Sequence, residues 1–134
     1  MFEETSSLRG FGVLAEDPSD CDALAVLIRR IRPPVAGAKY RIRTRPAYGC
    51  GNLREKGSAR LAELVASGCD ALIVVHDLDR APLVGGLNNL GDLLLHLRKK
   101  LMNPSRTPLC ICVPVEEIEA WFWSCQETLD LVTR

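Results

Sequence analysis

The run DALIVVHD (70 to 77) constrains the fold of this chain more than any other feature. It is apolar at consecutive positions, whereas a strand with one exposed face alternates apolar and polar residues. A continuous β-branched run is typical of a strand that is buried on both faces of a parallel sheet. The run is therefore predicted to be a central parallel strand with helices on both sides.

Three other segments have the pattern of strands, and helical patterns lie between them. The strand segments are GFGVLAE (10 to 16), KYRIRTR (39 to 45) and PLCICVPV (108 to 115). Apolar residues at helical spacing predict four helices, marked by the pairs Leu24 and Ile28, Leu61 and Leu64, Leu93 and Leu97, and Ile118 and Phe122. This alternation predicts an α/β fold of three layers, with a four-stranded, mostly parallel sheet covered by helices.

Local signals refine two of these elements. Ser19 followed by Asp22 fits a capping box at the start of the first helix, and Pro33 with Pro34 predicts its end. The segment KYRIRTR alternates strictly between basic and other residues. It is therefore predicted to be a half-exposed strand near an edge of the sheet.

Length and composition favour a single folded domain over residues 1–134. No apolar run approaches the roughly 20 residues of a membrane span, and the N-terminus is polar. We therefore expect a cytoplasmic protein that does not contact a membrane. The six cysteines form no CxxC pair, so free thiols are expected rather than disulfides or a zinc site. The sequence leaves open whether the chain acts alone, as a homo-oligomer or with a partner protein.

Charge is unevenly distributed along the chain. The formal net charge is zero, which argues against coating of nucleic acid through bulk charge alone. Positions 29 to 60, however, hold ten basic residues and one acidic residue, Glu55. Within this stretch Arg41, Arg43 and Arg45 share one face of the predicted edge strand. They are candidates for binding the phosphates of a nucleic acid, and protection of an exposed edge against aggregation is an equally good interpretation.

Acidic residues follow three of the four predicted strands. They are Glu16 and Asp17 after the first, Asp77 and Asp79 after the central one, and Glu116, Glu117 and Glu119 after the last. Ligands of open parallel sheets bind outside the carboxyl ends of the strands. Carboxylate oxygens are the ligands that magnesium prefers. A divalent metal is therefore predicted at this edge of the sheet.

Some acidic residues have a simpler interpretation. Asp20, Asp22 and Glu116 fall in the first turns of predicted helices, where an acid usually acts as a cap or interacts with the helix dipole. Asp77 and Asp79 are different, because two acids that straddle the end of a buried strand are costly without a partner. His76, next to Asp77, is interpreted as a core histidine with satisfied ring nitrogens.

The order of these motifs resembles a known family. Glu16 after the first strand, the following PSD and the later HDLD resemble the Toprim domain of topoisomerases, primases, recombination proteins and the overcoming-lysogenisation-defect nucleases. The segment VPVEEIEAWFW (113 to 123) is similar to a stretch in a Toprim-like family of bacterial proteins of unknown function, some linked to defence against phage. GCGNL (49 to 53) is similar to a Gly-x-Gly turn of that family.

The resemblance implies a metal-dependent nuclease or phosphotransferase that cleaves phosphodiesters in DNA or RNA, in phage defence or DNA repair. Glu16 matches the Toprim glutamate, which implies a general acid or base. Asp77 and Asp79 match the pair that holds magnesium, or manganese in its place. Glu119 matches a further ligand of the Toprim-like family, with Glu117 close by.

One departure and two other functions accompany this hypothesis. Asp17 stands where the Toprim glutamate is usually followed by glycine, although aspartate tolerates positive φ better than most residues. A non-catalytic Toprim-like module that binds metal or nucleic acid fits the same motifs. A haloacid-dehalogenase-type phosphatase also places D-x-D after a strand, but it fits less well because Arg80 and Ala81 are followed by Pro82.

Overall fold

The computed structural model of the chain describes residues 10 to 33, 40 to 78, 89 to 101 and 106 to 114. These ranges contain the strands β1 (Gly10–Ala15), β2 (Arg41–Pro46), β3 (Ala71–Val75) and β4 (Leu109–Cys112), and the helices α1 (Pro18–Ile31), α2 (Cys50–Ala66) and α3 (Leu90–Lys100). The fourth predicted helix lies outside the described residues. None of the described helices is long and apolar enough to cross a membrane.

The four strands form one parallel sheet in the order β2-β1-β3-β4. The predicted α/β class is therefore confirmed, and the sheet is parallel throughout its described strands. The apolar run 70 to 77 contributes β3, one of the two central strands, as its sequence predicts. The alternating basic segment contributes β2 at an edge, which is also as predicted.

Helices cover both faces of the sheet. On one face, Val13 and Ala15 of β1 pack with the buried α1 side chains Leu24 and Ile28. On the other face, Leu14 of β1 packs in a larger cluster to which α2 and α3 contribute, through Leu53, Leu61, Leu64, Leu93 and Leu97. Alternate residues of β1 thus enter opposite cores, which explains why its sequence is apolar throughout.

The first helix begins earlier than its sequence predicts. Asp17 is the N-cap, its side chain accepts a hydrogen bond from the backbone N–H of Asp20, and Pro18 occupies the first turn. The predicted capping box of Ser19 and Asp22 is therefore wrong. Proline at the start of a helix needs no hydrogen bond for its nitrogen, so Asp17 followed by Pro18 is a stronger start signal than a serine inside the first turn.

The contact between α2 and β1 depends on a residue without a side chain. A Cβ atom at Gly12 would lie 3.1 Å from Cβ of Leu64 on α2, 3.2 Å from Sγ of Cys69 and 2.9 Å from Cδ2 of Leu72. The first of these atoms is fixed by the helix backbone and cannot rotate away. Glycine at this position therefore allows the helix to approach the strand closely.

We expect Gly12→Ala to lower the free energy of unfolding by about 1 to 3 kcal/mol, the usual cost of overpacking a core. Gly51→Ala is the matched control, because a Cβ there meets only Nη2 of Arg54, at 3.9 Å. The control should leave stability unchanged or raise it by less than about 1 kcal/mol. Urea unfolding measures both, and equal stability of Gly12→Ala and the parent would contradict the close packing of α2 on β1.

Candidate metal centre

The two central strands end where the chain leaves the sheet toward opposite faces. The helix after β1, α1, packs on one face, and the helix described after β3, α3, packs on the other. The carboxyl ends of such adjacent strands border a crevice, and ligands of open α/β sheets bind at this switch point. The position of the site therefore follows from the strand order.

Three carboxylates meet at this crevice. Glu16 directly follows β1, Asp77 follows β3 by two residues, and Asp20 lies in the first turn of α1. One oxygen of each lies within 4.8 Å of the others. Asp20 is only 7% exposed, and side chains on a helix lean toward its N-terminus, which directs this carboxylate back to the strand end. The group could hold a metal ion, because three hard oxygen donors converge there.

The sequence predicts this centre in part. The structure brings Glu16 and Asp77 together, as expected for residues that follow neighbouring parallel strands. Asp79, Glu117 and Glu119 lie outside the described residues, so their roles remain predictions. Asp20 is not among the predicted ligands, because an acid in a first helical turn is usually a capping or dipole residue. The sequence signal for Asp20 is its spacing from Glu16: Glu16 directly follows a strand, and Asp20 lies in the first turn of the next helix.

Asp17 takes part in the helix start and not in the carboxylate cluster. Its backbone is extended, with φ −139° and ψ 170°. Its carboxylate accepts hydrogen bonds from the Asp20 backbone N–H at 2.9 Å and from the Ser19 hydroxyl at 2.7 Å, and these lower the pKa of Asp17. The position at which the Toprim domain usually has glycine therefore needs no positive φ in this chain.

The loop between β2 and α2 fixes Glu16. The backbone N–H groups of Tyr48 and Gly49 both donate to the carbonyl oxygen of Glu16, at 2.6 and 3.1 Å. This requires a left-handed backbone at both loop residues, with φ of 60° and 118°, and glycine adopts the second value readily. The loop thereby places Cys50, the first residue of α2, at the edge of the carboxylate cluster.

The thiol of Cys50 donates a hydrogen bond to Oε1 of Glu16 at 3.3 Å. Burial, followed by this hydrogen bond and the negative charges of Glu16 and Asp77, raises the pKa of Cys50 to about 12. The thiol therefore stays protonated at neutral pH and orients the Glu16 carboxylate. Cys50 and Glu16 are 34 positions apart, so no local pattern in the sequence indicates this contact.

A buried histidine connects α2 to the end of β3. His76 is 1% exposed. Its Nε2 lies 2.9 Å from Nη1 of Arg54, and its Nδ1 lies 2.8 Å from the carbonyl oxygen of Asp77. A guanidinium only donates, so Nε2 accepts from Arg54 and Nδ1 carries the proton that it donates to Asp77. Burial lowers the pKa of His76 despite the hydrogen bond to that carbonyl, and the ring is neutral at pH 7. The prediction of a satisfied core histidine is confirmed.

The predicted basic residues line the edge strand. Arg41, Arg43 and Arg45 are exposed, on the same side of the sheet as α2, while Ile42 packs toward the α1 side. Arg45 pairs with Glu63 of α2 at 3.2 Å. Neither Arg41 nor Arg43 pairs with a carboxylate in the described ranges. This arginine row, formed by Arg41, Arg43 and Arg45, begins at the amino end of β2 and ends beside the carboxyl edge of the sheet, where the carboxylate cluster lies.

No protein-family model, curated protein or solved structure matches this chain. The fold and site define an α/β domain with an acidic centre at the switch point of a parallel sheet. Any function proposed for the domain is therefore based on this geometry and on the motifs in its sequence.

If the carboxylate cluster binds metal, Mn²⁺ should raise the melting temperature, because an ion that binds only the folded state stabilises it by mass action. Asp20→Asn should remove most of this increase. Asp22→Asn is the matched control, since Asp22 is exposed on the same helix and the change removes the same charge. Thermal unfolding with and without Mn²⁺ tests this. An equal reduction in both variants would mean that Mn²⁺ responds to the general charge of α1 and not to the cluster.

Proposed function

We propose that the chain is a Toprim-like domain that cleaves phosphodiester bonds in nucleic acid with the help of magnesium or manganese. The observation that carries this proposal is the cluster of Glu16, Asp20 and Asp77, whose carboxylate oxygens lie within 4.8 Å of one another at the carboxyl edge of the sheet. The cluster combines the Toprim glutamate with the first aspartate of the D-x-D motif. Asp79, the second aspartate, remains a proposed ligand.

The donor set fits a hard divalent cation. All three groups are carboxylates, and magnesium and manganese prefer such oxygens, whereas zinc prefers nitrogen and sulfur donors. Asp77 and Asp20 would hold the ion together with Asp79, and Glu117 and Glu119 are proposed as further ligands. When bound, the ion would neutralise charge on the phosphate and lower the pKa of water.

Glu16 is proposed as the general acid or base. Its main chain is fixed by two backbone hydrogen bonds, and its Oε1 is oriented by the Cys50 thiol. A proton-transferring group must be held at hydrogen-bonding distance from its target, so a fixed carboxylate suits this role better than a mobile one. The arrangement supports proton transfer at Glu16 at the mouth of the crevice.

The arginine row supports an elongated anionic substrate. Arg41 and Arg43 extend along β2 toward the edge of the sheet that holds the cluster, so a nucleic-acid strand bound along them would lead to Glu16. Contacts of this kind position a phosphate backbone without reading its sequence. Arg45 contributes less to this surface, because it is paired with Glu63.

Glu16→Gln separates chemistry from metal binding. We expect the rate of Mn²⁺-dependent cleavage of single- or double-stranded DNA or RNA to fall by about 10² to 10⁴, the usual contribution of a general acid or base. Mn²⁺ affinity should change little, because Asp20 and Asp77 remain and glutamine retains an oxygen donor. A parallel loss of affinity and rate would make Glu16 a ligand only. Absence of cleavage by the parent protein would leave the non-catalytic binding module.

Arg41→Gln combined with Arg43→Gln should weaken association with nucleic acid. The slope of log affinity against log salt should become shallower by roughly one unit for each phosphate that the variant no longer neutralises. Arg29→Gln combined with Arg32→Gln is the matched control, because both arginines are exposed at the end of α1, on the other face of the sheet. Fluorescence anisotropy over a salt series provides the measurement. Unchanged slopes together with new aggregation would favour edge protection instead.

A further inference from the structure

A guanidinium lies beside the carboxylate cluster and is held there by a histidine. Arg54 is on α2, one turn after Cys50, and both side chains therefore lie on the same face of the helix. Its hydrogen-bond partner, His76, directly precedes Asp77, so the guanidinium lies at the carboxyl end of β3. In the ranges that the structure describes, Arg54 forms no ion pair with a carboxylate. Its hydrogen bond there is to Nε2 of His76.

This arrangement differs from that of a structural arginine. An arginine that neutralised the cluster would pair with Glu16 or Asp77, and a solvated surface arginine would not be attached to a histidine that is 1% exposed. His76 is held in turn by the carbonyl oxygen of Asp77. The guanidinium is thus fixed near the cluster by a neutral ring and a backbone carbonyl, and not by direct pairing with a carboxylate of the cluster.

An arginine has five N–H donors in a rigid planar fork. One nitrogen of Arg54 is committed to His76, and the remaining donors are suited to a planar or tetrahedral anion. A phosphate bound at an acidic metal centre has oxygens that face away from the metal and require hydrogen-bond donors. A cation beside the centre is a suitable donor, because charge-assisted hydrogen bonds to phosphate are about twice as strong as neutral ones.

We propose that Arg54, held by His76, binds a non-bridging phosphate oxygen of the ligand of the Glu16, Asp20 and Asp77 centre. This inference depends on the proposed function and identifies its ligand class as a phosphate-bearing anion, positioned between the carboxylate centre and α2. The arginine row on β2 binds the rest of the strand, whereas Arg54 binds the phosphate at the centre itself.

The test uses Mn²⁺ and dimethyl phosphate, the smallest stable phosphodiester anion, as probes. Mn²⁺ binding is measured by electron paramagnetic resonance, and binding of dimethyl phosphate near the ion by the relaxation of its ³¹P nucleus. Arg54→Met should leave the protein folded, with a lower melting temperature because the buried Nε2 of His76 loses its donor, and it should not weaken Mn²⁺ binding. It should weaken dimethyl phosphate binding about tenfold or more, as expected when a charge-assisted hydrogen bond is removed. Arg54→Lys, which keeps the charge and removes the fork, should give an intermediate affinity.

Lys56→Met is the matched control. Lys56 is exposed on the same helix, two positions beyond Arg54, and its replacement removes the same charge. It should leave both affinities unchanged. If the parent protein binds Mn²⁺ and Arg54→Met binds dimethyl phosphate as well as the parent does, the inference is wrong and the proposed metal centre stands. If the parent binds no Mn²⁺, both are overturned.

Discussion

The carboxyl edge of this sheet must accommodate the mutual repulsion of three carboxylates, those of Glu16, Asp20 and Asp77. Their oxygens lie within 4.8 Å of one another, and one of the residues, Asp20, is 7% exposed. Like charges at such distances destabilise the folded state unless another charge compensates them. The parallel sheet cannot avoid the problem, because β1 and β3 are neighbours and an acid follows the carboxyl end of each within two residues.

Several features of the surroundings reduce this cost. Asp20 is in the first turn of α1, where the positive end of the helix dipole favours a carboxylate. The Cys50 thiol donates to Glu16, and Arg54 places a positive charge nearby through His76. None of these three contacts is an ion pair to a member of the cluster. The metal ion proposed for this centre would compensate the three charges further.

The sequence predicts the layers of the fold better than it predicts the site. A continuous apolar run identifies β3 as a central strand, because a strand that is buried on both faces is apolar at every position. Strict alternation identifies β2 as an edge strand, because a strand that is buried on one face has apolar residues at every second position. Strand order leaves no such signal. Glu16 and Asp77 can be predicted to share an edge because both follow parallel strands, but the switch point between them is visible only from the positions of α1 and α3.

The contacts missed by the sequence connect distant segments. Cys50 reaches Glu16 across 34 positions, and Arg54 reaches His76 across 22. Neither pair has a local spacing that reports it. Asp20 is a different case, since its position in a first helical turn has a common structural explanation that hides its place in the carboxylate cluster. The zero net charge likewise hides a segregation of charge, with arginines along β2 and carboxylates at the strand ends.

The central claim is that Glu16, Asp20 and Asp77 form one metal centre. Anomalous diffraction from crystals soaked in Mn²⁺ tests it most directly. The account predicts a single strong peak at the carboxyl ends of β1 and β3, about 2.0 to 2.6 Å from an oxygen of at least two of these carboxylates. A peak bound by other residues, or no peak in crystals where the three carboxylates have moved apart, would contradict it.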